Sequence, residues 1–240
     1  MTGNGMDEVL RCLRPGSDRD PAAAGARALG VEGVAVSVFA RSPAEADSAR
    51  GPEPLWWFPE LSLRFEELQF TLGEGPGPDA ARAGVPVLEP DLQRVRPERW
   101  PVLLPAARQL GVHGVCCFPL ALGGARLGLL TLLCDGSALS ERQLRDTNTL
   151  TAALTAALLG DRLWPPEGLQ RAVVHQATGM LSVQLGTSMG DALVRLRASA
   201  YGSERSLGDV AEDIVARRLR FDDGTQDDGN GPHLPESGEG

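Results

Sequence analysis

The chain contains no lysine; all 23 of its basic residues are arginine, which reads as the compositional bias of GC-rich coding and not as a functional trait. Cysteine and histidine are also scarce. The four cysteines, Cys12, Cys116, Cys117 and Cys134, show no C-x-x-C spacing. None of His113, His175 and His233 stands at ligand spacing from a cysteine or another histidine, which argues against structural zinc. Three of the cysteines fall in apolar runs, so buried, reduced thiols are expected. Long apolar stretches are missing too: residues 127–134 and 152–159 fall far short of the roughly 18 to 20 that cross a bilayer. Residues 1–13 carry Gly, Asn, Asp and Glu where a secretory signal would be basic and then apolar, so a cytoplasmic location is expected. No G-x-S-x-G, H-E-x-x-H, P-loop or Rossmann glycine pattern occurs. No catalytic residue, metal or cofactor is therefore predicted, and the chain does not read as an enzyme.

What is present is a globular composition, 42% hydrophobic and 23% charged, with room in 240 residues for one large domain or two of modest size. The net charge of −9 is unevenly spread. Residues 1–162 carry 16 Arg against 20 acids, residues 163–221 seven Arg against six acids, and residues 222–240 six acids and no Arg. A neutral-to-basic module thus lies beside a repelling tail, and the overall acidity does not exclude a nucleic-acid partner.

The spacing predicts a strand over 33–39, with Val34, Val36 and Val38 on one face and Ala35, Ser37 and Phe39 on the other. Residues 55–58 read as a second strand, and Leu61, Phe65, Leu68 and Leu72 then recur at helical spacing. Three Gly and two Pro between Leu72 and Asp79 predict a shaped loop. A short strand at 85–88 follows, then an amphipathic helix over 98–110 interrupted near Pro101 and Pro105. Residues 114–122 and 126–134 are apolar runs joined at Gly123 and Gly124, a hairpin signal. Cys116 and Cys117 should face opposite sides of the first of these strands. The pattern fits an α+β fold, an antiparallel sheet flanked by helices, better than a parallel βαβ sheet.

Ser140 is a candidate N-cap for a helix over 140–159. Leu144, Thr151 and Leu158 recur every seven residues with Thr147 and Leu154 between them, which suits either a dimer seam or a terminal helix packed on its own sheet. Trp164, Pro165 and Pro166 stop that helix and mark a domain boundary. The remainder reads as three short helices. The first carries Leu169, Ala172, Val173, Gln176, Met180 and Leu181 and ends at Gly186; the others open with Ser188 and Asp191, and with Ser206 and Asp209. His175 reads as a surface histidine, since no carboxylate is spaced nearby to work with it. Residues 222–240 have almost no apolar side chain and are expected to be disordered.

The run RAVVHQATGML at 171–181, Gly186, the run DALVRLR at 191–197 with Ala200, and LGDVA at 207–211 with Ile214 and Val215 together resemble an ANTAR domain. Upstream, LGEGP at 72–76, Asp79 and Ala80, Gly84 with Pro86 and Val87, PDL at 90–92 and GLLTL at 128–132 resemble a GAF domain. The chain is therefore similar to the actinobacterial GAF and ANTAR domain-containing regulators of transcription antitermination. The resemblance implies a GAF-like sensory domain over 1–160, with an N-terminal extension and a C-terminal signalling helix, and a Pro-rich linker over 161–167. An all-α, three-helix ANTAR domain over 168–221 and an acidic tail over 222–240 complete it.

The resemblance also implies a homodimer that binds tandem RNA hairpins under control of a small ligand or partner sensed by the GAF domain. Arg171, Gln176, Thr178, Gly179, Arg197 and Arg205 are the candidate RNA contacts: the glycine permits close approach, Gln176 offers hydrogen bonds, and the arginines meet phosphate or stack on loop bases. The plainer alternative makes Gly179 a helix-packing residue and the arginines a solvated face. Trp57, Phe70, Glu74 and Phe118 are candidate ligand contacts, or simply core. The chain departs from the family at Thr178, where a Lys is usual, at Ser182, where a Met is usual, and at Gly77, where relatives often carry Cys. The lysine of cyclic-nucleotide GAF domains is necessarily absent. A DNA-binding or protein-binding regulator that has lost RNA recognition is the alternative function.

Overall fold

The computed structural model describes residues 4–13, 20–39, 51–160 and 171–221; the predicted Pro-rich linker and acidic tail lie outside them. Two short helices come first, α1 (Asn4–Cys12) and α2 (Pro21–Leu29). Asp20 caps α2 by accepting from the Ala22 and Ala23 amides, and Gly30 ends it in the left-handed conformation. The strand β1 (Gly33–Val38) then pairs antiparallel with β2 (Glu53–Phe58) on one side and β5 (Ala125–Cys134) on the other. Beyond β5 lie β4 (Gly114–Leu122) and the short β3 (Val87–Glu89), giving the order β2-β1-β5-β4-β3. The predicted hairpin is present: Leu122 pairs with Ala125 across Gly123 and Gly124, with Gly123 at φ +58°.

The period-two alternation of the strands feeds two cores. Val34, Val36, Val38, Cys116, Phe118, Leu130 and Leu132 pack against α1, α2 and α6 (Glu141–Leu159). On the opposite face Val115, Cys117, Leu129 and Leu133 meet α3 (Glu60–Leu72), α4 (Pro76–Ala83) and α5 (Leu103–Leu110). Cys116 and Cys117 thus enter different cores, and all four cysteines are buried free thiols. Close approach of β1 and β5 depends on Gly128, where a Cβ would lie 2.1 Å from the Ser37 carbonyl oxygen.

Three elements differ from the sequence expectation, the first being the helix expected over 98–110, which is confined to α5 and runs unbroken through Pro105 in its first turn. The shaped loop after Leu72 is shorter than predicted, because α4 already begins at Pro76. First-turn amides have no helical acceptor, so Pro76 and Pro78 remove nothing the helix uses. Asp79 then fixes the helix by accepting from Trp100 Nε1 at 3.1 Å and pairing with Arg82 at 3.0 Å. The strand expected at 85–88 is shifted to Val87–Glu89. In α6, Ser140 and Gln143 form a reciprocal capping box. Of its two readings the structure shows the sheet-packed one: Thr147, Leu154 and Leu158 are buried within the chain and Leu144 packs on the same core.

The C-terminal helices are α7 (Ala172–Leu185), α8 (Met189–Gly202) and α9 (Leu207–Val215). Gly186 ends α7 at φ +58°, while Ser188 and Ser206 cap the next two helices by accepting from the Asp191 and Asp209 amides. Val174, Ala177, Leu181, Leu193, Leu196, Val210 and Ile214 form their core, joined by Phe70 from α3. Among the described residues, no helix is long and apolar enough to cross a membrane.

Candidate functional site

Phe70 is the clue to how the sheet unit and the helical unit meet. It ends the buried face of α3, and its ring carries two guanidinium groups, Arg171 at 3.7 Å and Arg197 at 5.1 Å from the centroid. Arg171 precedes α7 and is 4% exposed. Its guanidinium donates to Glu67 Oε1 at 2.8 Å, to the Glu66 carbonyl at 3.4 Å and to the Pro52 carbonyl. Its backbone amide donates to Glu53 Oε2 at 3.1 Å, and the other Glu53 oxygen meets His175 Nε2 at 2.5 Å. Glu53 opens β2 and is as buried as its partners. These groups form a latch in which Arg171, Glu53 and His175 are withdrawn from water while Glu67 stays half-exposed, an arrangement in which each buried member depends on the others remaining in place.

Arg197 completes the latch from α8. Burial, and then the neighbouring Arg171 charge, lower its pKa to about 10. Its Nε is buried with no hydrogen-bond partner among the described residues. Gly73, at φ +69°, makes the space, since a Cβ there would lie 2.9 Å from an Arg197 guanidinium nitrogen.

Behind the latch lies a polar cluster inside the sheet unit. Glu66, on α3, accepts from Ser37 Oγ of β1 at 2.9 Å and from Gln69 Nε2 at 3.2 Å. Gln69 in turn accepts from the Gly77 amide at 2.7 Å, and Cys117 Sγ sits 3.5 Å from Thr131 Oγ1. Burial holds the Glu66 carboxyl above its ordinary pKa, opposed by hydrogen bonds from Thr131 and Ser37 and by the Arg171 charge. Burial also raises the Cys117 thiol well above its ordinary value, so it stays protonated.

The predicted ligand residues do not converge. Trp57 is half-buried on β2, Phe70 lies under the two arginines, and Phe118 belongs to the core on the other side of the sheet. Glu74 is occupied as a helix cap, its Oε1 accepting from the Val102 and Leu103 amides at 2.8 and 2.6 Å. Two crevices are lined by none of the four: one of about 430 Å³ beside Glu32 and Asp135, and one of about 630 Å³ between α7 and the turn after α9.

The predicted RNA residues divide into two groups. Arg171 and Arg197 are spent on the latch, and Thr178 is buried with its hydroxyl donating to the Val174 carbonyl at 2.7 Å. Gln176 is exposed, Gly179 is half-exposed, and Arg205 is exposed but paired with Asp213 at 2.6 Å. The space where a Gly179 Cβ would lie is open to 4 Å, so no helix among the described residues packs there. His175 is not the surface residue its local spacing suggests; a carboxylate 122 positions earlier buries it. Glu53 itself escapes sequence reading because, lying between two prolines, it carries no local sign of a distant partner.

Residues 169–215, which comprise all three of these helices, match the ANTAR domain family. They form an ANTAR domain. Its three helices and caps are those described above, and the latch is the contact this ANTAR domain makes with α3 and the start of β2. Among solved structures the chain is similar to the GAF domain of a phosphoenolpyruvate-protein phosphotransferase from Coxiella burnetii, at 17% identity over 67% of this chain and 97% of that one, TM-score 0.44. It is also similar to the corresponding GAF domain from Acinetobacter, at 13% identity over 65% and 92%, TM-score 0.46. A GAF domain/HD domain protein from Geobacter sulfurreducens aligns at 13% identity over 67% and 97%, TM-score 0.44. No curated protein matches the chain.

Proposed function

We propose that the chain is a cytoplasmic RNA-binding regulator of transcription antitermination, a binder and not a catalyst. Its GAF-like unit senses a small ligand or partner and controls how the ANTAR domain, in a homodimer, engages tandem RNA hairpins. The observation that carries the control step is the double role of Glu66. Its side chain belongs to the buried polar cluster of the sheet unit, while its backbone carbonyl accepts from Arg171 at the start of the ANTAR domain. A signal that rearranges the cluster therefore acts directly on the latch. Release of the latch would return Arg171 and Arg197 to solvent as phosphate-seeking charges. A ligand drives this only by binding the released state with a different affinity from the latched one.

Fluorescence anisotropy of the full chain with a labelled two-hairpin RNA pool of randomised loops, at about 50 and 200 mM salt, tests the reading against a single hairpin and duplex DNA. Selective, salt-sensitive binding to the paired hairpins, strengthened in Glu53→Arg, is the expected result. Preference for duplex DNA would favour the DNA-binding alternative. Binding to no nucleic acid by either protein would favour a protein-binding regulator.

A further inference from the structure

We propose that the groove between α7 and the turn after α9 is a seat for one unpaired nucleobase and its flanking phosphates. The inference rests on the RNA-binding reading and assigns it a location. The groove encloses about 630 Å³ and has two chemically distinct parts. Its floor is apolar, formed by Met180, Val183, Ile214 and Leu219, and Val183 is left 85% exposed. Its rim carries Gln176, Gln184, Arg217 and Arg220. An unpaired nucleotide has the same division, a flat apolar face with a polar edge on one side and an anionic backbone on the other. Side-chain amides suit a base edge because each offers both a donor and an acceptor. Gln184 Nε2 is engaged by the Phe221 carbonyl at 2.6 Å, which orients the amide and leaves its oxygen to accept.

The arginine distribution selects this groove over the rest of the ANTAR domain. Arg171 is bound to Glu67, Arg205 and Arg218 share Asp213, and Arg197 lies on Phe70. Among the described residues Arg195, Arg217 and Arg220 form no ion pair; Arg195 lies exposed on α8, whereas Arg217 and Arg220 line the groove together. The turn that presents them is specifically shaped: Arg217 adopts φ +57°, and the Arg217 and Arg218 amides donate back to the Ile214 and Asp213 carbonyls at 2.9 and 2.7 Å. A non-glycine residue in that conformation needs support from its surroundings.

Two further observations bear on the occupant. The glycine at 179 is not required by packing within the chain, since open space lies over it, and its bare backbone adds to the flat surface a base would cover. A second copy of the chain fits poorly. Among the described residues no carboxylate lines the groove, so a second copy would have to bring acidic side chains from elsewhere on its surface to offset Arg217 and Arg220. The groove also uses a different side of α7 from the latch residues Arg171 and His175, so it is open while the latch is closed.

The test uses the full chain and a two-hairpin RNA pool with randomised loops containing 4-thiouridine. Photocrosslinks are mapped by mass spectrometry, and affinity is read by anisotropy as a function of salt. Crosslinks to Met180 or Val183 are expected. The double variant Arg217→Gln/Arg220→Gln should bind about tenfold or more weakly, with a salt slope smaller by about 1.4, two single-strand phosphate contacts at about 0.7 each. Val183→Glu, at a position that belongs to none of the three cores, should weaken binding at unchanged thermal stability. Wild-type affinity and slope in both variants, with crosslinks elsewhere, would overturn the groove assignment while leaving RNA binding intact. A change in sedimentation without a change in RNA affinity would assign the groove to a second copy and overturn it equally. Failure of the wild type to bind any RNA removes the underlying reading, and the assignment with it.

Discussion

Glu53 Oε1 and His175 Nε2 lie 2.5 Å apart across 122 residues of sequence, in a contact that joins the edge strand of the sheet to the first helix of the ANTAR domain. The same carboxylate receives the Arg171 amide, so one side chain holds both the start of α7 and a residue one turn further on. Replacing it tests whether the two units unfold together.

Glu53→Ala leaves the Arg171 amide and His175 Nε2 buried beside an empty acceptor site, and a buried polar group left without its partner costs about 1–3 kcal/mol. We expect the helical unit to unfold separately from, and before, the sheet unit, as two transitions in scanning calorimetry where the wild type shows one. Glu53→Gln retains one carbonyl acceptor and should lose less. A single unshifted transition in Glu53→Ala would contradict the latch.

Glu66 gives a pH prediction whose sign follows from burial. Its pKa in the folded chain lies above the ordinary value of 4.5, so folding favours the protonated form. That contribution is fully present below the unfolded value and is lost as pH rises through the raised folded value. Glu66→Gln is neutral throughout and should be more stable than wild type at about pH 8, with the gap closing towards about pH 4. Urea unfolding across that range measures it; a gap that widens on acidification would reverse the assignment.

Gly128→Ala places a methyl group 2.1 Å from the Ser37 carbonyl oxygen, a distance no Cβ sustains. The strands β1 and β5 must separate at the centre of the sheet. A midpoint loss in urea is expected, together with faster amide exchange along both strands. Gly124→Ala, where a Cβ meets open space, is the control and should leave exchange in these strands unchanged.

Removing residues 222–240 deletes six acids and no arginine. The polyanionic RNA should then associate faster, most clearly at low ionic strength, because the Debye length is about 10 Å at 0.1 M and about 30 Å at 0.01 M. Stopped-flow association of the shortened and full chains at two salt concentrations reads the effect. Equal rates at low salt would show that the tail charge does not reach the RNA.

The local parts of this architecture are legible in the sequence. The hairpin follows from two glycines between apolar runs, the division of Cys116 and Cys117 from strand alternation, and the starts of α6, α8 and α9 from serine caps. Contacts between units are not legible in the same way. Helical spacing misplaces the packed side of α7: Ala172, Val173, Gln176 and Met180 lie exposed or half-exposed while Val174, His175, Ala177, Thr178 and Leu181 are buried, and nothing in it signals that Arg171 and His175 are covered by a different domain. The groove is not legible because Arg217 and Arg220 follow the last helix, in a turn whose left-handed arginine has none of the usual glycine signature. Proline content misled at α4, where a helix begins on the residues that suggest a loop.

The strand order has a consequence for assembly. One border of the sheet is the three-residue β3, too short to template another strand. The other is β2, where Pro54 supplies no amide and Glu53 is already committed to the ANTAR domain. A strand added to β2 would meet the proline break after residues 55–58, so self-association by sheet growth is disfavoured at both borders. Pairing of two chains would then fall to their helices, and the short or interrupted borders make the sheet a poor seed for a fibril.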